Sequence, residues 1–169
     1  MTEDKIKTLY ELHSVPENVT RHMRKVKEVC ELLADAAIKN GEKIDKKALL
    51  YAALLHDVLR VHDSDEKSHA KAMAEVLEGM GEKYLAKLVS KHEFFSVDRL
   101  KTLEEKILYY ADKRVDRDKI VSLKKRFTES KKRNTSSRHS PKEIKEIETK
   151  IFMLEKRLAE NLGKTVYSL

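Results

Sequence analysis

The stretch ALLHDVLR, residues 53–60, decides how the chain is read. It continues a helical pattern that opens at Asp45, a favourable N-cap, and carries Leu49, Ala52 and Ala53 on one face. His56 falls three and four residues after Ala53 and Ala52, so an imidazole points the way the apolar side chains point. Asp57 follows about 100° further round the helix, at the edge of the same stripe. The pattern predicts a helix running through Arg60. A core-facing stripe interrupted by His-Asp needs a physical reason, and the sequence holds two more such interruptions.

The first is His22. A helix over 16–40 is predicted by the stripe Val19, Met23, Val26, Val29, Leu33 and Ala37, with Ser14 and Glu17 at capping-box spacing and Gly41 as a stop. His22 lies within that stripe, as does Cys30 at its edge, which reads as a small core residue. The second is Asp112. A helix opening at Thr102, with Glu105 completing a capping box, carries Ile107, Leu108, Ala111 and Val115, and Asp112 stands four residues after Leu108. A buried carboxylate without a partner costs several kcal/mol. One divalent cation would compensate all three intrusions. Two imidazoles and two carboxylates suit Mn, Fe, Co, Ni, Zn or Mg. The residues alone leave two readings open, hydrogen-bonded core histidines and aspartates or the ligands of a metal.

The remaining segments are also helical in period. Residues 61–70 read as a polar loop, 68–79 and 82–92 as helices, and a basic helix starts near Asp118. SKKRNTSSRHS, 130–140, reads as a polar linker. Ser140, Pro141 and Glu143 then supply an N-cap, an N1 proline and a capping box. Ile144, Ile147, Ile151, Leu154 and Leu158 form a short seam, for packing on the bundle or for pairing in a homodimer. No strand is predicted. The expected architecture is all-α, with a main domain over 1–130, a linker over 131–140 and a C-terminal amphipathic helix over 141–169.

Composition narrows the function. Four Gly and two Pro in 169 residues exclude collagen-like and turn-rich β architectures. One Cys leaves no intramolecular disulfide, MTEDKIKTLYEL at the start lacks the apolar core of a signal peptide, and no run approaches the ~20 apolar residues of a membrane span. We therefore expect a cytoplasmic protein with no membrane partner. The net charge is +7, and residues 113–133 hold ten basic side chains against three acidic ones. Such a stripe can track phosphates, but ten aromatic residues, no Trp and no base-reading motif argue against a nucleic-acid partner.

ALLHDVLR, preceded by His22 in ENVTRHMRKV and followed by Asp112 in LEEKILYYADKRV, resembles the HD-domain metal-dependent phosphohydrolases over about residues 14–125. The resemblance implies an all-α HD bundle in which His22, His56, Asp57 and Asp112 hold one metal. His69 in SHAKAMAEVL and His92 in SKHEFF match the two-metal branches similar to dinucleoside-tetraphosphate hydrolases and cyclic-dinucleotide phosphodiesterases, where Asp57 would bridge a second ion. Two features depart from the pattern. Val58-Leu59 stands where many relatives have Ile-Gly, and HEFFSVDRL lacks the Gly-Tyr-Pro element of the cyclic-dinucleotide branch.

The implied reaction is cleavage of a phosphoester or phosphoanhydride, in a nucleotide or dinucleotide, by hydroxide formed on the metal. Asp57 would orient the water. Arg60, Lys113 and Arg114 would share the developing charge, and together with Arg117 contact the substrate's phosphates. The alternative is a regulatory module that binds a nucleotide with little turnover, which the loss of Ile-Gly favours.

Overall fold

The computed structural model describes residues 1–62, 68–133 and 139–169. The helices are α1 (Glu3–Leu12), α2 (Glu17–Lys39), α3 (Lys46–Leu55), α4 (His69–Gly79), α5 (Lys83–Val89), α6 (Leu103–Arg114), α7 (Leu123–Arg133) and α8 (Pro141–Leu162). Short 3-10 turns lie at Arg60–His62, Phe94–Arg99 and Gly163–Val166. The all-α expectation holds, with one small addition: β1 (Val115–Asp116) and β2 (Lys119–Ile120) pair antiparallel between α6 and α7.

α2 is the axis of the bundle. Its stripe of Met23, Val26, Val29, Cys30, Leu33, Ala34 and Ala37 is fully buried. α3 and α6 pack against it, α5 packs on α3, and α4 on α5. The capping box at the start of α6 forms as the spacing predicts: the Glu105 amide donates to Thr102 Oγ1, and the Thr102 amide donates back to the Glu105 carboxylate. The second capping box, Ser140 with Glu143, opens α8 in the same way. α8 then lays Ile147, Ile151, Leu154, Leu158 and Leu162 into the same core, against α6 and α2, while Ile144 stays half-buried. The C-terminal seam thus covers the bundle from within one chain.

Several elements differ from the sequence reading, each for a local reason. α2 is not capped by Ser14. Its N-cap is Pro16, and Ser14 takes a left-handed φ of 48° in the turn from α1. α1 itself was not predicted, because only Ile6 and Leu9 of its ten residues are buried. α3 stops at Leu55 instead of reaching Arg60, with a turn over 56–59. The basic helix begins at Leu123 and not near Asp118, because 115–120 are taken up by the hairpin. Its Asp116↔Lys119 register leaves a two-residue loop, and Arg117 adopts a φ of 58° there, as tight hairpin loops require. Residues 131–133 of the expected linker belong to α7. Residues 134–138 of that linker, and 63–67 of the polar loop expected over 61–70, lie outside the described residues.

Candidate metal centre

The early end of α3 is what places His56 and Asp57. The His56 Nδ1–H donates to the carbonyl of Ala53 at 2.9 Å, a short local bond that ties the ring to the last turn of its own helix. His92 does the same after α5: its Nδ1–H donates to the carbonyl of Val89 at 2.7 Å. His22 sits mid-helix in α2 and donates its Nδ1–H to the carbonyl of Arg117 at 2.7 Å. A carbonyl only accepts, so each of these three rings carries its proton on Nδ1. That fixes the tautomer and turns each Nε2 inward with a lone pair.

The three Nε2 atoms, with that of His69 at the start of α4, converge on two buried carboxylates. His22 Nε2 lies 3.0 Å from Asp112 Oδ1 and 3.7 Å from Asp57 Oδ2. His56 Nε2 lies 3.7 Å from each of those oxygens. On the other side, His69 Nε2 and His92 Nε2 lie 3.2 and 3.4 Å from Asp57 Oδ1, and 3.0 Å from each other. Asp57 therefore divides its two oxygens. Oδ2 faces His22, His56 and Asp112, and Oδ1 faces His69 and His92.

Electrostatics follow from this crowding. Burial pushes the Asp57 carboxyl up, but His56, His69 and His92 outweigh it and hold it well below the usual carboxylate range. Burial likewise raises Asp112, and Lys113, His22 and His56 outweigh it. Burial lowers His56, yet the Asp57 and Asp112 carboxylates bring it above its ordinary value. Burial keeps His92 below its own, with His56 adding to the effect. The cluster thus demands positive charge among its lone pairs, as a proton or as a metal ion.

The residues present fit a metal. His56 Nε2 is buried and has no hydrogen-bond partner among the described residues. Nitrogen lone pairs facing carboxylate oxygens repel unless a cation lies between them. The Nδ1–H of His22, His56 and His92 is held by a backbone carbonyl, the outer contact that metal-ligating imidazoles usually have. Two groups have ligand atoms within 4.8 Å of one another: His22, His56 and Asp112, and His56, Asp57 and His92.

The other expected site residues divide. Arg60 pairs with Asp57 Oδ2, and half of its side chain is exposed at the mouth of the cluster. Lys113 is buried, donating to Asp112 and, at 2.8 Å, to the carbonyl of His92. Arg117 reaches the cluster through its backbone carbonyl. Arg114 is not brought there. Its guanidinium donates to the carbonyls of Val121 (2.7 Å), Val166 (3.0 Å) and Leu169 (2.8 Å) and to the Tyr110 hydroxyl, pinning the C-terminal turn on α6. α6 is buried on all sides over Ile107–Arg114, and Asp112 and Arg114, two positions apart and so about 200° round the helix, face different parts of the interior.

Two cavities open on the cluster. The larger, about 940 Å³, reaches His22, Asp57 and Arg60 and is walled by the hairpin and α7. The smaller, about 490 Å³, reaches Asp57, His69, His92, Asp112 and Lys113, and is walled by Phe94, Phe95 and His139. Arg60 and Arg126 line both. Arg126 was missed in the sequence because it lies in a basic run where one cation does not stand out. Its place is set by an ion pair with Asp116 at 2.7 Å. Phe94 and Phe95 carried no signal beyond a local aromatic pair.

A model of the HD domain matches residues 19–115, more than half of the chain. No curated protein and no solved structure was found to match it. Among the described residues, no helix is long and apolar enough to cross a membrane. The matched span runs from α2 to the end of α6 and contains His22, His56, Asp57 and Asp112 together with His69 and His92. The chain belongs to the HD-domain family, a superfamily of metal-dependent phosphohydrolases.

Proposed function

We propose that the protein is a metal-dependent phosphohydrolase acting on a phosphoester or phosphoanhydride of a nucleotide or dinucleotide. The observation that carries this reading is the divided carboxylate of Asp57, set between two groups of inward-facing imidazole nitrogens. His22, His56, Asp112 and Asp57 Oδ2 would hold one divalent ion, and His69, His92 and Asp57 Oδ1 a second. Mn, Fe, Co, Ni, Zn or Mg all suit such a donor set. When bound, the ions supply a water of lowered pKa and neutralise charge on the phosphoryl oxygens.

The chain's own groups do the rest. Asp57, held ionised, orients the attacking water by accepting its hydrogen bond. Arg60, at the mouth and tethered to Asp57, contacts the phosphoryl oxygens on which charge develops. Lys113 holds the Asp112 carboxylate in place while anchored to the His92 carbonyl, and faces the smaller cavity. Arg114 takes no part in this scheme. The rings of Phe94 and Phe95, with His139 stacked 3.8 Å from Phe95, offer an apolar wall for a nucleobase beside the cluster.

The test is turnover of a panel of nucleotides, dinucleotides and aryl phosphates by protein loaded with Mn²⁺, Co²⁺, Ni²⁺ or Mg²⁺. Release of phosphate or nucleoside monophosphate supports the reading, and no product from any member contradicts it. One observation favours a binding module instead: Val58 and Leu59, in place of Ile-Gly, follow the pair His56–Asp57 and are both buried. Tight nucleotide binding without product would establish that second reading.

A further inference from the structure

The family match ends at residue 115, yet most of the larger cavity's wall comes after it. β1, β2 and α7 supply Arg117, Lys119, Lys125 and Arg126 to that wall, facing Arg60 at the cluster. The wall's acids are engaged locally: Asp116 pairs with Arg126, Asp118 approaches Arg21 at 3.5 Å, and Glu129 accepts from Lys132. Arg117, Lys119 and Lys125 have no ion-pair partner among the described residues, the neighbouring acids being paired with Arg21, Arg126 and Lys132. Cations gathered on one concave wall repel one another and raise the local potential for anions.

The shape matters as much as the charge. A cavity of about 940 Å³ is many times larger than one phosphate group, and a phosphate seated at Asp57 and Arg60 leaves the wall beyond them unused. No Phe, Tyr or Trp lines it, so it offers nothing for a base to stack on. The aromatic side chains lie in the other cavity, across Arg60 and Arg126. The substrate is thereby given a direction.

We propose that the hairpin and α7 form a polyphosphate-binding arm, in which Arg126, held by Asp116 and seated between the two cavities, binds the phosphate next to the one that is attacked. Arg117, Lys119 and Lys125, on the same wall, add their charge to the attraction for that second phosphate and for any linked beyond it. The site then selects a substrate with two or more linked phosphates over a monophosphate. This inference rests on the phosphohydrolase reading above for which phosphate is attacked, but it concerns binding and is tested by binding.

The probes are methylphosphonate and methylenediphosphonate, one and two phosphonate groups that cannot be hydrolysed. Each is titrated calorimetrically into protein in buffer with excess Mg²⁺ on both sides. Charge-assisted contacts from Arg126 to the second group predict that the diphosphonate binds about tenfold tighter or more. Arg126→Gln reduces that preference to about threefold or less, and the double variant Lys119→Gln with Lys125→Gln lowers it in the same direction. Lys124→Gln, the same charge change on an α7 residue outside both cavities, leaves the preference unchanged. An equal preference in the wild type and all variants, or no preference in the wild type, overturns the proposal. The double variant alters only exposed side chains, so it keeps the test decisive even if Arg126→Gln weakens the fold. Diphosphonate preference without hydrolysis of any phosphoester would uphold this inference and remove the catalytic reading, and hydrolysis with no preference would do the reverse.

Discussion

His22 and Arg117 are 95 residues apart in sequence and joined by a 2.7 Å hydrogen bond, the imidazole Nδ1–H donating to the backbone carbonyl. The bond fixes which nitrogen of His22 faces the carboxylates. It exists only because Arg117 holds a left-handed φ of 58°, a conformation that costs non-glycine residues about 1 kcal/mol and β-branched ones more. Arg117→Gly therefore keeps the carbonyl where it is, and metal affinity with it. Arg117→Val forces the loop to rearrange and weakens metal uptake about tenfold, in the range seen when an outer contact of a ligating histidine is lost. Equilibrium dialysis of Mn²⁺ against the two variants checks this. Equal affinity in both would show that the carbonyl does not position His22.

Metal binding stabilises the fold by mass action. A ligand at about a thousand times its dissociation constant adds about 4 kcal/mol, provided it does not bind the unfolded chain. The melting temperature of the wild type should rise on addition of Mn²⁺ or Co²⁺. The double variant His56→Ala with Asp57→Ala removes the unpartnered Nε2 and the divided carboxylate together, and its melting temperature should not respond. A wild type that melts at one temperature with and without every metal tried would count against the centre.

Arg114 makes a contrasting case. It is buried and bonded to the carbonyls of Val121, Val166 and Leu169. Arg114→Ala should cost about 3 kcal/mol or more by leaving those carbonyls and the Tyr110 hydroxyl without their charged donor. Lysine should not rescue it, because one ammonium cannot reproduce the fork that spans these acceptors. Metal stoichiometry should be unchanged in the folded variant. Denaturant unfolding and metal analysis of Arg114→Ala and Arg114→Lys read both quantities.

Glu105 gives a pH-dependent prediction away from the centre. Its carboxylate accepts from the amides of Lys101 and Thr102 and from Lys91 Nζ at 2.6 Å. Burial raises its pKa, but the Lys91 ammonium and the two amides outweigh burial and hold it below the ordinary value. A depressed carboxyl stabilises the fold above its unfolded pKa of about 4.3, and that stabilisation is lost as pH falls through the folded value. Glu105→Gln should therefore be about 1–2 kcal/mol less stable than the wild type at pH 7. The gap should narrow below about pH 4. A gap that stayed constant through acid would show that ionisation of Glu105 is not its source.

The helices that carry the centre were legible in the sequence because their signals are local. The capping boxes at Thr102 and Ser140 formed as their spacing requires, and His22 and Asp112 stand out as single polar residues in long apolar stripes. The resemblance carried by His56–Asp57 added His69 and His92, whose spacing alone would not have joined them. What was hidden depends on contacts distant in sequence or on backbone dihedrals. The hairpin at 115–120 has too few residues to show an alternating period. Arg114 and Arg126 are both basic residues after Asp112, and only their partners, Val166 and Leu169 for one and Asp116 for the other, separate a core staple from a cavity wall. The end of α3 at Leu55 turns on the His56–Ala53 bond, which no propensity anticipates.

The most direct test of the account is a crystal structure of the protein grown with Mn²⁺, with anomalous scattering recorded to locate the metal. The account predicts anomalous peaks on both sides of the Asp57 carboxylate, one within bonding distance of His22, His56 and Asp112 and one within bonding distance of His69 and His92. Well-ordered side chains at all six positions with no anomalous peak beside Asp57 would contradict it.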